Sequence, residues 1–184
     1  MTNVCTGRNW GEHGYLTKPL IYLDYVRQLR RLSTAASPIY VILMDSDTMW
    51  AVNDVNTIWN KFDCARGNKD VVLSTEMSCW VGRYCTKEDI ARWYSKEVIK
   101  GTPSYSPFAN SGILMGGLPG IQRMLEYVVA HNKSYYITYT KKHKFDDQYA
   151  IADYAIKVAP SEVALDYHQQ VSDENGDEDE DEDE

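Results

Sequence analysis

The chain lacks any apolar run near the ~20 residues that a bilayer-spanning helix takes, which excludes a membrane-spanning helix. It lacks a C-x-x-C pair. Its four cysteines are Cys5, Cys64, Cys79 and Cys85, and that spacing argues against a structural zinc site. Cys79 and Cys85 are near enough in sequence for a loop disulfide, and the count alone leaves free thiols open. The opening stretch, MTNVCTGRNWGEHG, lacks the apolar core of a signal peptide, so taken literally the chain is cytosolic. Basic clusters are scarce. RQLRR at 27–31 and KKHK at 141–144 are short and carry no interleaved aromatics, so nucleic-acid binding by charge is not expected. Internal repeats are missing, as is any sign of a second folded domain.

What is present suits one domain. The 184 residues are 43% hydrophobic and 12% aromatic, enough to bury a core and to exclude wholesale disorder. The formal net charge of −8 is unevenly spread. Residues 173–184, DENGDEDEDEDE, hold 10 of the 27 acidic residues, and the other 172 residues carry a net charge of +2. A block of like charge repels itself. The expectation is therefore a domain over 1–172 and a disordered acidic tail over 173–184. The tail reads as a solubilising extension, as a contact for a basic partner or as a loose cation-binding segment.

Periodicity predicts alternating helices and strands. Thr17 and Pro19 open a helix over 18–32 with Tyr22, Tyr25, Val26, Leu29 and Leu32 on its inner face. YVILMD at 40–45 reads as a buried strand. A second helix runs from Asn53-Asp54 to about Phe62, with Val55, Ile58, Trp59 and Phe62 inward. DVVLSTE at 70–76 is a second buried strand. A third helix is expected from Thr86, with Asp89 completing a cap and Ile90, Trp93 and Tyr94 inward. GTPSYSPFANSG at 101–112 is too rich in Gly, Pro and Ser for a helix, and ILMG after it reads as a short strand. A fourth helix covers about 119–131. KKHKFDDQ is polar, YAIADYAI resumes a helical pattern, and VALDY at 163–167 is a last strand. This alternation predicts an α/β layered domain, Rossmann-like, with a mainly parallel sheet. In such sheets ligands sit at the carboxyl ends of the strands.

Four segments near those ends could carry chemistry. The first strand ends in Asp45-Ser46-Asp47. Two carboxylates one residue apart can converge on a hard cation, Mn²⁺ or Mg²⁺, together with phosphate oxygens; alternatively they are a polar strand end with a capping Asp. A calcium loop is excluded, because the sixth and twelfth positions counted from Asp45 are Trp50 and Asn56 rather than Gly and Glu. After Glu76 comes Trp80, either a core side chain or an aromatic wall for a sugar ring. Asn110-Ser111-Gly112 offers short donors and acceptors with room for close backbone approach, or is a plain turn. Asp146-Asp147-Gln148 precedes a helix, and its paired carboxylates can provide a base or stabilise charge, or simply cap the helix. His131 and His143 read as solvated; His13 and His168 are site candidates only by neighbourhood.

In this order, D-S-D, S-T-E with C-W shortly after, F-x-N-S-G and D-D-Q resemble the glycosyltransferase domain of the procollagen lysyl hydroxylases and its free-standing relatives. The resemblance covers roughly Trp10 to Gln170. It implies a GT-A-like fold, a UDP-sugar donor (UDP-glucose or UDP-galactose) and Mn²⁺ as cofactor. It further implies a protein or glycan acceptor, hydroxylysine among the candidates, and work in the secretory pathway. Asp45 resembles the family's first metal-binding Asp. Asp47 follows from the broader GT-A pattern, because the lysyl hydroxylases usually have D-S-x-D where this chain has D-S-D-T. By the same resemblance Asp146 and Asp147 are catalytic, and Trp80, Asn110, Ser111, Gly112 and Gln148 line the sugar cleft. Trp10 in Asn9-Trp10-Gly11 stacks near the uracil, and Lys18 faces the nucleotide. Two departures stand out. The family's first strand is expected several dozen residues before Trp10, and a later His-Gly segment supplies a third metal ligand, for which His168 lies too early. The resemblance thus implies a domain incomplete at both ends. The chain is then a fragment, is completed by a partner, or is an inactive nucleotide-sugar or carbohydrate-binding module.

Overall fold

The computed structural model describes residues 14–33, 38–45, 54–76, 108–139 and 142–167. Helix α1 (Thr17–Leu32) follows a single 3₁₀ turn. Val26 and Tyr22 of its inner face are buried, whereas Leu32 in its last turn is exposed. Strand β1 (Tyr40–Met44) leads to helix α2 (Val55–Arg66). Asp54 caps α2 by accepting from the N–H groups of Asn56 and Thr57. Of the four apolar residues expected inward on α2, Phe62 is fully buried, Ile58 packs beside it, and Val55 and Trp59 lie exposed. Strand β2 (Val71–Glu76) is buried along its length, as its continuous apolar run predicts. Strand β3 (Phe108–Gly117) leads straight into helix α3 (Leu118–Ala130), which starts on Pro119 and buries Ile121, Met124, Leu125 and Val128.

The chain then forms a hairpin of β4 (Tyr136–Tyr139) and β5 (Lys142–Phe145), helix α4 (Asp147–Asp153), a π-helical turn over Tyr154–Val158, and strand β6 (Val163–Leu165). Its second strand falls in the stretch that reads as polar, and its first, YITY, in a segment for which the sequence reading named no element. No helix among the described residues is long and apolar enough to cross a membrane.

The fold is α/β, but its sheet is mixed rather than mainly parallel. The order is β1-β3-β2-β6. β3 runs antiparallel to both β1 and β2, and only β2 and β6 pair in parallel. Strands buried on both faces read as the same apolar run whichever way they point, so the pattern does not reveal the reversal. The reversal matters for the site. It sets the amino end of β3 beside the carboxyl ends of β1 and β2, with Ile113 opposite Met44 and Phe108 opposite Glu76. One face of the sheet carries the main core, where α1, α3 and α4 pack. The other carries a smaller cluster of Phe62, Val72, Met115 and Ala164 under α2.

Two expectations need correction besides sheet direction. The β1 strand is not buried on both faces but alternates at the sheet edge, with Val41 and Leu43 buried and Tyr40 and Ile42 exposed. Asn110-Ser111-Gly112 is not a turn before the strand; β3 begins at Phe108 and includes it. The β2–β3 ladder shifts register between Leu73 and Thr75. There the Ser74 hydroxyl takes over from the backbone, accepting from the Ile113 N–H at 3.1 Å. The helix expected from Thr86, Cys79 and Cys85, and the acidic tail lie outside the described residues.

Candidate functional site

The site is built around Lys18, in the first turn of α1. Its side chain is 9% exposed, and its ammonium reaches oxygens from three separate segments. It lies 2.8 Å from Asp45 Oδ1, at the carboxyl end of β1, and 2.9 Å from Asp147 Oδ2, in the first turn of α4. It also donates to the Ser111 carbonyl at 3.0 Å and approaches Ser111 Oγ at 3.2 Å. Burial works against the charge on Lys18. The attraction of Asp147 and Asp45, with hydrogen bonds to both, outweighs it and holds its pKa above the ordinary lysine value.

Ser111 ties this cluster to the sheet, because its hydroxyl donates to Asp147 Oδ2 at 3.1 Å. The Asp45 N–H donates to the Gly112 carbonyl at 2.8 Å, which continues the β1–β3 ladder one residue beyond the strand. Tyr22 of α1 donates to the Met44 carbonyl at 2.9 Å, fixing the same strand end from the helix side. Asn110 turns its side chain back on the chain, and its Oδ1 accepts from the Gly112 N–H at 2.6 Å. A Cβ at position 112 would sit 2.7 Å from that oxygen, so this arrangement calls for glycine.

The two aspartates of D-D-Q take different places. Asp146 is the N-cap of α4 and accepts from the Tyr149 N–H at 2.7 Å. Burial raises its pKa, the Tyr149 bond opposes this, neighbouring Asp147 adds to it, and Lys18 opposes it; the net direction is upward. Asp147 instead turns to Lys18 and Ser111. Gln148 donates from Nε2 to Glu76 Oε1 at the end of β2. Glu76 and Ser74 also shape the site, although the sequence reading quoted them only within S-T-E and gave them no role. The usable signal was a buried apolar strand that ends in Ser-Thr-Glu.

Lys18, Asp45, Asn110, Ser111, Gly112, Asp146, Asp147 and Gln148 thus gather at one end of the sheet. Trp10, Asp47 and Trp80, as well as His13 and His168, lie outside the described residues.

No group of three or more His, Cys, Asp or Glu side chains among the described residues could hold a metal ion. One carboxylate of the site, Asp45, opens to solvent and is paired with Lys18. That carboxylate is 38% exposed on its side chain, against 13% for Asp147, and it already attracts a cation. Mg²⁺-like ions commonly bind through one or two carboxylates and complete their shell with water and substrate phosphates. No protein-family model matches the sequence, and a search of curated proteins finds none that matches it.

Proposed function

We propose that this chain is a GT-A-like, metal-dependent glycosyltransferase domain of the procollagen lysyl hydroxylase type, acting on a UDP-sugar. One observation carries the reading. Three segments that lie far apart in sequence, at Asp45, Ser111 and Asp147, converge on one buried ammonium, that of Lys18. They do so at the carboxyl ends of β1 and β2, where ligands bind in α/β sheets.

In this reading Asp45 holds Mn²⁺ or Mg²⁺ together with Asp47, and the ion supplies neutralising charge for the departing diphosphate. Asp147 carries the negative charge nearest the reacting sugar. Held at Oδ2 by Lys18 and by Ser111, it is preorganised to stabilise a cationic sugar carbon or to orient the acceptor hydroxyl. The Asp146 oxygen supports α4 as its cap, so Asp147, not Asp146, is the catalytic residue of the pair. Gln148, set by Glu76, and Trp80 position the sugar. The acceptor is a protein or glycan hydroxyl, hydroxylysine being the candidate that the family resemblance favours.

Calorimetric titration with UDP, with and without Mn²⁺, tests the reading. Binding that needs Mn²⁺ and is lost in Asp45→Ala is the expected outcome. Equal binding with and without the metal, or by Asp45→Ala, would sink it. Binding without sugar transfer or donor hydrolysis would leave a nucleotide-sugar binding module instead.

A further inference from the structure

Strand β1 is an outer strand of the sheet, and the way its backbone bonds to β3 fixes what its other edge offers. In an antiparallel ladder, residues alternately bond to the partner strand and face away from it. The Asp45 N–H donates to Gly112 O, and the Leu118 N–H donates to Ile39 O. The residues of β1 that bond to β3 are therefore Val41 and Leu43, and the backbone N–H and C=O groups of Tyr40, Ile42 and Met44 face the other way. Met44 agrees, since its carbonyl accepts from the Tyr22 hydroxyl at 2.9 Å. No strand among the described residues pairs with that edge at Tyr40 or Ile42. Natural edge strands are commonly blunted by charge, proline or a bulge. YVILM has no charge and no proline, and its ladder with β3 runs without a shift of register. The side chains beside the open groups are apolar and exposed. They are Tyr40 and Ile42, with Val55 and Trp59 of α2 nearby on the chain's surface, and the Tyr40 ring stands edge-on to Trp59 at 4.6 Å between centroids.

We propose that β1 is a self-association edge that pairs antiparallel with β1 of a second copy of this chain. The edge is its own complement. With a two-fold axis at Val41, Tyr40 of each copy stands opposite Ile42 of the other. Both residues face outward, so each such pair exchanges two N–H···O=C bonds, and the four bonds use the open groups of both copies. The neighbouring registers are poorer. One sets Tyr40 opposite Met44, whose carbonyl already serves Tyr22. The other sets Ile42 opposite Pro38, which has no N–H to give. Tyr40 and Ile42 also lie on one face of the sheet, so the exposed ring of one copy covers the exposed Ile42 side chain of the other. A stable interface buries about 1,600 Å², more than a short strand edge supplies, so the dimer is weak and forms as concentration rises.

Sedimentation equilibrium of the full chain over a concentration series reads the association, and amide hydrogen exchange at low and high concentration reads the edge. The wild type is expected to pass from monomer to dimer. As it does, the Tyr40 and Ile42 amides gain protection, while those of Val41 and Leu43, already bonded to β3, change little. Ile42→Pro removes a donor that β3 does not use, so β1 keeps its ladder, yet it takes away two of the four bonds between copies. It is expected to weaken the dimer about thirtyfold. Ile42→Val keeps the N–H and is expected to dimerise like the wild type. A chain that stays monomeric throughout overturns the proposal. So does a dimer whose Tyr40 and Ile42 amides exchange as freely as in the monomer, because the copies then meet elsewhere. Protection of those two amides already in the monomer means that the chain covers its own edge, and overturns it too. A folded Ile42→Pro that dimerises as tightly as the wild type has the same consequence. If Ile42→Pro does not fold, the exchange pattern of the wild type decides alone.

Discussion

The two ends of β3 solve opposite problems. At the amino end, Ser111 and Gly112 meet a buried lysine and two aspartates. At the carboxyl end, Gly116 and Gly117 meet backbone. A Cβ at Gly116 would lie 2.7 Å from the Asp70 carbonyl and 3.0 Å from Val71 Cα. There the Gly117 N–H donates to Asp70 O at 3.1 Å, and the Leu118 N–H donates to Ile39 O at 2.8 Å. One end is held by close packing and backbone hydrogen bonds, the other by charge taken partly out of water. Close packing has little reason to exist beyond stability. Buried ion pairs are different, because well-packed apolar groups often stabilise a fold as well or better. A strand end that keeps a buried Lys between two Asp side chains therefore points to a use for the charge.

The comparison breaks most sharply at Lys18. Lys18→Ala leaves Asp45 and Asp147 without their shared cation and is expected to cost about 3–5 kcal/mol. Urea unfolding at neutral pH measures it. A loss under about 1 kcal/mol, the range of an exposed pair, would mean that solvent already screens the cluster and that the polar end is not energetically distinct.

Next in size is Gly116→Ala, at the packed end. The added methyl meets backbone atoms that cannot swing aside, so a loss of about 1–3 kcal/mol is expected. Gly112→Ala sharpens the contrast. Its methyl meets only the side-chain oxygen of Asn110 at comparable distance, and a side chain can rotate away. Its stability loss should stay below that of Gly116→Ala, while the nucleotide-sugar binding proposed above is expected to weaken because Asn110 is displaced from its bond with the Gly112 N–H. Equal stability losses, or intact binding, would erase the distinction between a structural and a functional glycine.

Part of this was legible in the sequence. The apolar spacing of α1 and α3 located both helices, and the runs YVILM and VVLSTE located β1 and β2, since each signal is local. What failed was non-local or weakly patterned. The antiparallel β3 was hidden because a strand buried on both faces looks the same in either direction. Val55 and Leu32 fit the helical period yet stay exposed, because periodicity says which face points inward and not how far the neighbouring layer extends. The β4–β5 hairpin joins two four-residue strands, too short for a period to stand out, and β5 is mostly charged. The site residues were found as motifs, and Lys18 by resemblance, but its place as the hub of the cluster was not. That one ammonium joins Asp45 to Asp147, and that Gln148 meets Glu76, depends on contacts between distant segments that spacing cannot encode.

The smallest effect, and the one whose sign matters most, concerns Asp146. Its carboxylate caps α4 but is penalised by burial and by neighbouring Asp147, with the Tyr149 bond and Lys18 only partly offsetting this. A carboxyl whose pKa is raised by folding binds protons more readily in the native state. Its favourable contribution is therefore complete below the unfolded pKa and is lost as pH rises through the folded one. Asp146→Asn keeps an oxygen able to accept from the Tyr149 N–H and removes the charge that burial disfavours. The variant should match or trail the wild type near about pH 3, where carboxyl groups are mostly protonated, and gain on it steadily towards neutrality. Urea midpoints of both proteins across that range decide the matter. A variant whose relative stability falls with rising pH would mean that Lys18 and the helix end favour the Asp146 charge more than burial opposes it. The attraction of the Lys18 cluster would then extend one residue further along the chain than its contacts with Asp45 and Asp147 indicate.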